Sequence, residues 1–247
     1  MMQGAIRHNN SGKDVLKGIL TCLIAACAFC PVQAQRLVKA DVLSQQLSKG
    51  QKTKQDKHLY CQQNGRMLVD ITENGKRNIL LTDQYGRTEI YDPETNKVLY
   101  DAKAQVYASI DEPLQLFLQR RTQDMGLEDY GFKLENSTLE DGKYIKKTFK
   151  SSDAASHCAK VEIVYENYLP VFMAFYSHKD KPINKIYYSQ YDLGKSFIFP
   201  ARVTEISYVG AKDSVIRLDI YSNIQVDTYD AMFDFKVPAD AERSEMP

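Results

Sequence analysis

The amino-acid sequence predicts a mostly β protein, in which helices cover an apolar cavity on a strongly curved antiparallel sheet or incomplete barrel of about eleven strands. Three observations lead to this fold class. Residues 215–226 alternate apolar and polar side chains, as a half-buried strand does. Short strand-like segments separated by turn signals recur along most of the chain. One segment near the middle, 111–126, has helical spacing instead.

The alternating segment reads VIRLDIYSNIQV and is the longest strand that we predict. We expect its apolar face to be buried and its polar face to be exposed. The apolar face holds Ile216, Leu218, Ile220, Ile224 and Val226, and the polar face holds Arg217, Asp219, Tyr221, Asn223 and Gln225. Residues 197–209 supply a partner strand, and the short connection 210–213 joins the two into a hairpin.

Residues 1–34 have the pattern of a secretory signal. Positive residues precede an apolar stretch at 18–30, which is shorter than the ~20 residues that a transmembrane helix needs. We favour cleavage after Ala34, which leaves a single domain at 35–247. The alternative is a lipid anchor at Cys27, which ends a lipobox-like run. Both alternatives predict an exported protein, and we expect it in the periplasm.

The elements between the signal and the long hairpin follow from spacing and turns. Apolar residues four apart predict a short amphipathic helix at 37–48, and the polar run 50–57 predicts a connector. Asn-Gly dipeptides at 64 and 74 mark hairpin turns. The expected strands are 59–62, 66–71, 78–82, 87–91, 98–100, 130–136, 143–149, 160–165, 170–177 and 184–191.

The segment 111–126 interrupts the strands and carries both end signals of a helix. Asp111 is a favourable N-cap, Pro113 suits the first turn, and Gly126 is a favourable C-cap. Apolar residues with helical spacing lie between them, at Leu114, Phe117, Leu118 and Met125. We therefore predict a helix that packs across a face of the sheet.

Composition and motifs exclude several classes of function. Lys+Arg and Asp+Glu balance at 32 each, and no basic stripe suits a nucleic-acid partner. The chain has no HExxH, GxSxG, SxxK or phosphate-cradling glycine loop. His157 and Cys158 are adjacent, so on a strand they would point to opposite faces and could not form a catalytic pair. We predict no enzymatic activity and no cofactor or metal.

Two cysteines remain after the signal is removed, Cys61 and Cys158. In an oxidising compartment they could form one disulfide, or they could be two unpaired thiols buried in strands. Their separation along the chain does not decide between these alternatives.

Several predicted strands are apolar on both faces, such as 171–176 and 198–203. One interpretation is that the second face is covered by a helix or a partner molecule. The other is that the curved sheet and the helices at 37–48 and 114–125 enclose an apolar cavity, as small barrels can. Methionine and phenylalanine would suit the wall of such a cavity.

Residues 80–98, reading LLTDQYGRTEIYDPETNKV, and the ending FDFKVPADAE at 233–242 resemble segments of the periplasmic outer-membrane lipoprotein carriers, the LolA-like family. The resemblance extends over the layout of the whole exported chain. It implies an incomplete antiparallel barrel with a helical lid over a cavity that shelters acyl chains. One departure concerns the family's functional arginine, because 73–80 lacks the expected proline and phenylalanine; Arg77 is the nearest candidate.

From the pattern and the resemblance together, we expect a non-enzymatic carrier of lipid or lipoprotein acyl chains, with inner- and outer-membrane sorting proteins as possible partners. Movement of the lid helix 111–126 would release the cargo. The residues expected to line the cavity are Phe117, Leu118, Met173, Phe175, Ile216, Leu218 and Ile220. The alternative is a structural or interaction protein of the cell envelope that has a filled core and no ligand.

Overall fold

A computed structural model describes residues 35–101, 112–210 and 213–246 of the protein. The predicted secretory signal at 1–34 lies outside the described residues. Within the compact unit that begins at Gln35, fourteen strands of the described residues form one sheet. They are β1 Leu37–Ser48, β2 Gln51–Gln62, β3 Met67–Glu73, β4 Lys76–Thr82, β5 Thr88–Asp92, β6 Lys97–Tyr100, β7 Phe132–Glu140, β8 Tyr144–Ser151, β9 Lys160–Glu166, β10 Leu169–Tyr176, β11 Pro182–Tyr191, β12 Pro200–Val209, β13 Asp213–Val226 and β14 Glu242–Glu245.

The strand order is β14-β6-β5-β4-β3-β2-β1-β13-β12-β11-β10-β9-β8-β7. Neighbouring strands are antiparallel, except that β14 runs parallel to β6. The two longest hairpins meet at the centre, where β1 pairs with β13. The sheet is curved and does not close, since β7 and β14 are free edges. This architecture confirms the predicted mostly β, incomplete-barrel fold class, with fourteen strands instead of about eleven.

The predicted N-terminal helix at 37–48 is wrong, because this segment is strand β1. Val38, Ala40 and Val42 are buried in alternation, which is the period of a strand. The polar connector predicted at 50–57 is also wrong, because β2 begins at Gln51 and pairs with β1 along its whole length. Its first half is polar because it projects beyond the core, where backbone pairing to β1 stabilises it without apolar contacts.

The mid-chain helix is present but shorter than predicted. Helix α1 is Pro113–Leu118, and all six of its residues are buried. The Glu112 carboxylate caps it by accepting a hydrogen bond from the Leu114 amide at 3.2 Å. Asp111, the predicted N-cap, lies outside the described residues. Gly126 does not cap α1; it has a left-handed φ of 79° and precedes a 3₁₀ helix at Leu127–Tyr130.

The two faces of the sheet carry separate cores. We call the face on which α1 packs the inner face, and the other the outer face. The inner core joins α1 to side chains from strands across the sheet, including Val42, Leu59, Met173 and Tyr221. On the outer face, a smaller core around Leu68, Ile79, Tyr91, Val98 and Ala241 lies under the C-terminal segment. That segment contains a 3₁₀ helix at Ala231–Asp234 and ends in β14.

Both cysteines are free thiols, so the possible disulfide between Cys61 and Cys158 is not formed. Cys61 lies on β2 within the inner core and is fully buried. Cys158 lies in the connection between β8 and β9 at the margin of the same core, half-buried. Burial raises the pKa of the Cys61 thiol well above its usual value, which keeps it protonated and unreactive.

Candidate functional site

The candidate site is the apolar region between α1 and the inner face, which the side chains of the helix fill. Leu114, Leu116, Phe117 and Leu118 all contact the inner core. The Phe117 ring meets the Phe199 ring edge-on at a centroid distance of 5.1 Å. Phe199 in turn contacts Phe197 and Tyr221. This aromatic cluster comes from α1, from the segment before β12 and from β13, so it fastens the helix to the centre of the sheet.

Tyr191 extends the cluster to β11, with its ring centroid 6.3 Å from that of Phe117. Its hydroxyl donates a hydrogen bond to the Pro170 carbonyl oxygen at 2.5 Å. The polar end of the ring is therefore satisfied on the sheet while its apolar body contacts the helix. Aromatic rings with one polar end are suited to the margin of an apolar site.

A carboxylate marks the point where α1 begins. Besides capping Leu114, Glu112 accepts a hydrogen bond from the Tyr221 hydroxyl at 3.1 Å. Burial, together with nearby Asp219, raises the pKa of the Glu112 carboxyl to about 7, against the hydrogen bonds from Leu114 and Tyr221 and the charge of Lys57. The start of the helix therefore carries a group that titrates near neutral pH.

Beyond Tyr221, the inner face of the central strands becomes ionic. The Arg217 guanidinium lies 2.7 Å from Glu205 and 3.2 Å from Asp219. Asp219 is buried, and its Oδ1 has no hydrogen-bond partner. Because directly opposed strand residues share a face, these charges project to the same side as Val42 and Tyr221. The apolar site is thus bordered by a buried ion-pair cluster.

The structure divides the seven predicted lining residues between the two faces. Phe117, Leu118 and Met173 belong to the inner core, and Phe175 packs against it. Ile216, Leu218 and Ile220 lie on the outer face, opposite to the prediction. Over 216–221 the period of two holds, but burial was assigned to the wrong face, because α1 covers the face of Tyr221. Beyond a register shift between β1 and β13, Ile224 and Val226 pack against the inner core, so for these two residues the predicted burial is confirmed. The arginine candidate Arg77 also lies away from α1 and forms an ion pair with Asp70.

The sequence did not predict a pocket of about 660 Å³ on the outer face, between β4–β6 and the C-terminal segment. Its walls combine apolar residues with charged pairs, Arg87 with Asp83 and Arg243 with Glu89. Arg66 holds the C-terminal segment in place by donating to the Phe235 carbonyl oxygen. In the sequence, the aromatic residues of the C-terminal segment were the only signal for this pocket. They were not sufficient to predict it, because the pocket depends on where that segment crosses the sheet.

The described residues contain neither a group of three or more potential metal-binding side chains nor a helix that is long and apolar enough to cross a membrane. The potential sites in this part of the chain are therefore the apolar region under α1, the ion-pair cluster beside it and the outer pocket.

The chain has a LolA-like fold: an open, curved antiparallel sheet with a short helix packed on its inner face. A LolA superfamily protein from Nitrosomonas europaea aligns over 88% of this chain and 97% of its own, with a TM-score of 0.56 and 15% identity. A DUF1329 family protein from Desulfovibrio piger aligns over 87% and 96%, with a TM-score of 0.56 and 12% identity.

A putative outer-membrane lipoprotein-sorting protein domain from Vibrio parahaemolyticus aligns over 78% of this chain and 86% of its own, with a TM-score of 0.52 and 12% identity. No model of a known protein family matches the sequence, and no curated protein matches it either. At these identities the similarity establishes the fold, and the function has to be argued from the site.

Proposed function

We propose that this chain is an exported, non-enzymatic carrier of lipid or lipoprotein acyl chains in the periplasm, and that the cargo binds between α1 and the inner face. The observation that carries the proposal is a six-residue, wholly buried helix packed inside a sheet that does not close. An acyl chain could replace the contacts of this helix without disturbing the pairing of the strands.

The helix is suited to move because it is short and because, besides apolar contacts, two side-chain hydrogen bonds hold it, from Tyr221 to Glu112 and from Gln115 to the Gln62 carbonyl oxygen. Isolated helices shorter than about 12–15 residues are marginal in water, so α1 depends on its tertiary contacts. Its apolar side chains contact aromatic and aliphatic groups of the sheet. An acyl chain is also apolar, so it could make the same kind of contact with these groups. Each CH₂ group of the cargo that leaves water would contribute about 0.8 kcal/mol, so several together could offset the lost contacts of the helix.

The proposed mechanism is partitioning, without a covalent step. The helix lies on the inner face while the carrier is empty and moves aside when an acyl chain enters. The margin of this region offers Phe175 and Ile186, which are half-buried and would contact the entering chain. The neutral form of Glu112 favours a docked helix, since burying its charge opposes docking.

The proposal can be tested by native mass spectrometry of the protein purified from cell envelopes without detergent, followed by organic extraction. We expect a near-stoichiometric acyl species, and uptake of a fluorescent fatty acid by the stripped protein. A lipid-free protein that also fails to take up the probe would contradict the proposal and favour an envelope interaction protein with a filled core.

A pair of matched variants localises the binding. Phe175→Glu places a charge at the margin of the inner core and should weaken probe binding at least about tenfold. Ile216→Glu makes the same change on the outer face and should leave binding unchanged. Equal effects of the two substitutions would show that the cargo does not bind under α1.

A further inference from the structure

The outer face of the central strands carries an apolar surface that neither core covers. We call it the outer patch: Leu47, Tyr187, Ile206, Tyr208, Ile216 and Leu218. The strand register places these residues on one face of β1, β11, β12 and β13. Leu47, Ile216 and Ile206 are directly opposed across three adjacent strands, so they form a continuous row.

The outer patch is exposed in a way that isolated surface residues are not. Leu47 is 44% exposed, Tyr187 41%, and Ile216 and Tyr208 37% each. Single apolar residues on a surface need no explanation, but a contiguous patch that spans several strands usually marks an interaction surface. The C-terminal segment, which covers the outer face of β2 to β6, does not include these residues in its core.

The border of the outer patch is basic. Lys52 lies directly opposite Leu47 at one end of the apolar row, and Lys185 lies opposite Ile206 at the other. Among the described residues, no carboxylate forms an ion pair with either lysine. The Lys185 ammonium is 5.8 Å from the ring centroid of Tyr208, so its charge stays beside the patch.

The nearest carboxylates on this face do not cancel that charge. Asp56 on β2 forms an ion pair with Lys54 at 3.5 Å. Glu162 on β9 forms one with Lys160 at 3.2 Å. Arg202, opposite Ile220 on the same face, adds a further exposed cation. The patch therefore combines apolar and tyrosine side chains with unpaired lysines at both ends.

We propose that the outer patch docks on the surface of a bilayer that contains anionic phospholipid. Tyrosine rings prefer the interface between headgroups and acyl chains, and lysines can bury their methylene stems while their ammonium groups contact phosphates. The aliphatic row would enter the upper part of the acyl region. This surface is distinct from the cargo region under α1, so the proposal does not depend on the proposed function.

The charge distribution favours a membrane over a second copy of the chain. In a twofold dimer formed through the outer patch, the same basic border would be present on both sides of the interface. An anionic lipid surface instead complements every cation at the border, and each lysine contributes about a fivefold increase in partitioning.

The test uses the chain from Gln35 to Pro247, which contains every described element of the fold, and vesicles of phosphatidylcholine with or without 30% phosphatidylglycerol. We expect flotation with the anionic vesicles only, and a decrease at high salt. The double substitution Lys52→Ala and Lys185→Ala should lower the partition coefficient by about fivefold for each lysine. Leu47→Asp combined with Ile216→Asp should abolish flotation.

Two controls keep the result interpretable. Leu139→Asp removes an exposed leucine from the edge strand β7, and Lys133→Ala removes an exposed lysine from the same strand. Neither should change flotation. Equal loss with these controls, or no flotation of the unmodified protein, would overturn the proposal. So would a dimer in solution that Ile216→Asp dissociates, because it would assign the outer patch to a second copy.

Discussion

On β13, the polar face is the more buried of the two and the apolar face is the more exposed. Arg217, Asp219 and Tyr221 point to the inner face, where Asp219 and Tyr221 are buried. Ile216, Leu218 and Ile220 point to the outer face, where Ile216 is exposed and the other two are half-buried. Burial on this strand therefore depends on what covers each face, and the charged side is buried because α1 and the ion pairs are there.

The inner and outer faces of the sheet are also two different kinds of surface. The inner face is closed by a short helix that an apolar cargo could displace. The outer face is apolar at its centre and open to solvent, with cations at its border. The same mutation made on each of the two faces should therefore have unequal effects.

The largest difference is expected between Met173→Glu and Ile216→Glu. Met173 is 2% exposed in the inner core, so a glutamate there would be a buried charge without a partner. We expect it to lower the free energy of unfolding by at least about 4 kcal/mol. Ile216→Glu on the outer face should cost less than about 1 kcal/mol. Urea unfolding measures both, and similar midpoints would show that the faces are wrongly assigned.

A smaller difference is expected between two arginines on the central hairpin. Arg217→Met leaves Glu205 and Asp219 without their shared cation, and should cost about 3 kcal/mol at pH 7. Arg202→Met on the outer face removes an exposed arginine and should be nearly neutral. Urea unfolding at pH 7 measures both variants, and equal losses would show that Arg217 does not act through its two carboxylates.

The smallest effect concerns Glu112, which caps α1 on the inner face. Its pKa is raised from 4.5 to about 7, so the folded protein binds the proton more tightly than the unfolded chain does. The resulting stability is fully present below pH 4.5 and is lost as the pH rises through about 7. Because the residue is partly exposed, we expect a loss of about 2 kcal/mol.

Glu112→Gln should remove this pH dependence, whereas Glu94→Gln, in the exposed turn between β5 and β6, should retain it. The measurement is the free energy of unfolding by urea from pH 4.5 to 8. Parallel curves for the unmodified protein and Glu112→Gln would contradict the assignment of the titration to this residue.

Local signals predicted most of the strands because hairpins are specified nearby in the chain. Asn74-Gly75 connects β3 to β4 with both residues at positive φ, as the dipeptide predicts. The alternation in β13 is equally visible. The same local criteria failed at β1, where leucines four apart suggested a helix, because apolar residues at positions 43 and 47 are compatible with both periods.

The candidate site was only partly predictable. Phe117 and Leu118, which were predicted to line a cavity, lie in the inner core, because α1 is apolar except for Gln115 and is buried against the sheet. The contributions of Phe199 and Tyr191, whose rings contact Phe117, and of Phe197, which stacks on Phe199, were missed because these rings come together only after the strands are paired. The ion-pair cluster was assigned to solvent, since an isolated strand does not reveal whether a buried arginine will meet two carboxylates.

The sequence by itself determined the antiparallel β class, the turns and the period of each strong strand, because these depend on neighbours within a few residues. The tertiary structure decided which face of each strand is buried, where α1 packs and how the C-terminal segment crosses the outer face. The physical reason is that a face of a strand is buried only when another surface packs against it. A strand offers two faces, and only the elements that arrive from distant parts of the chain determine which of them leaves water.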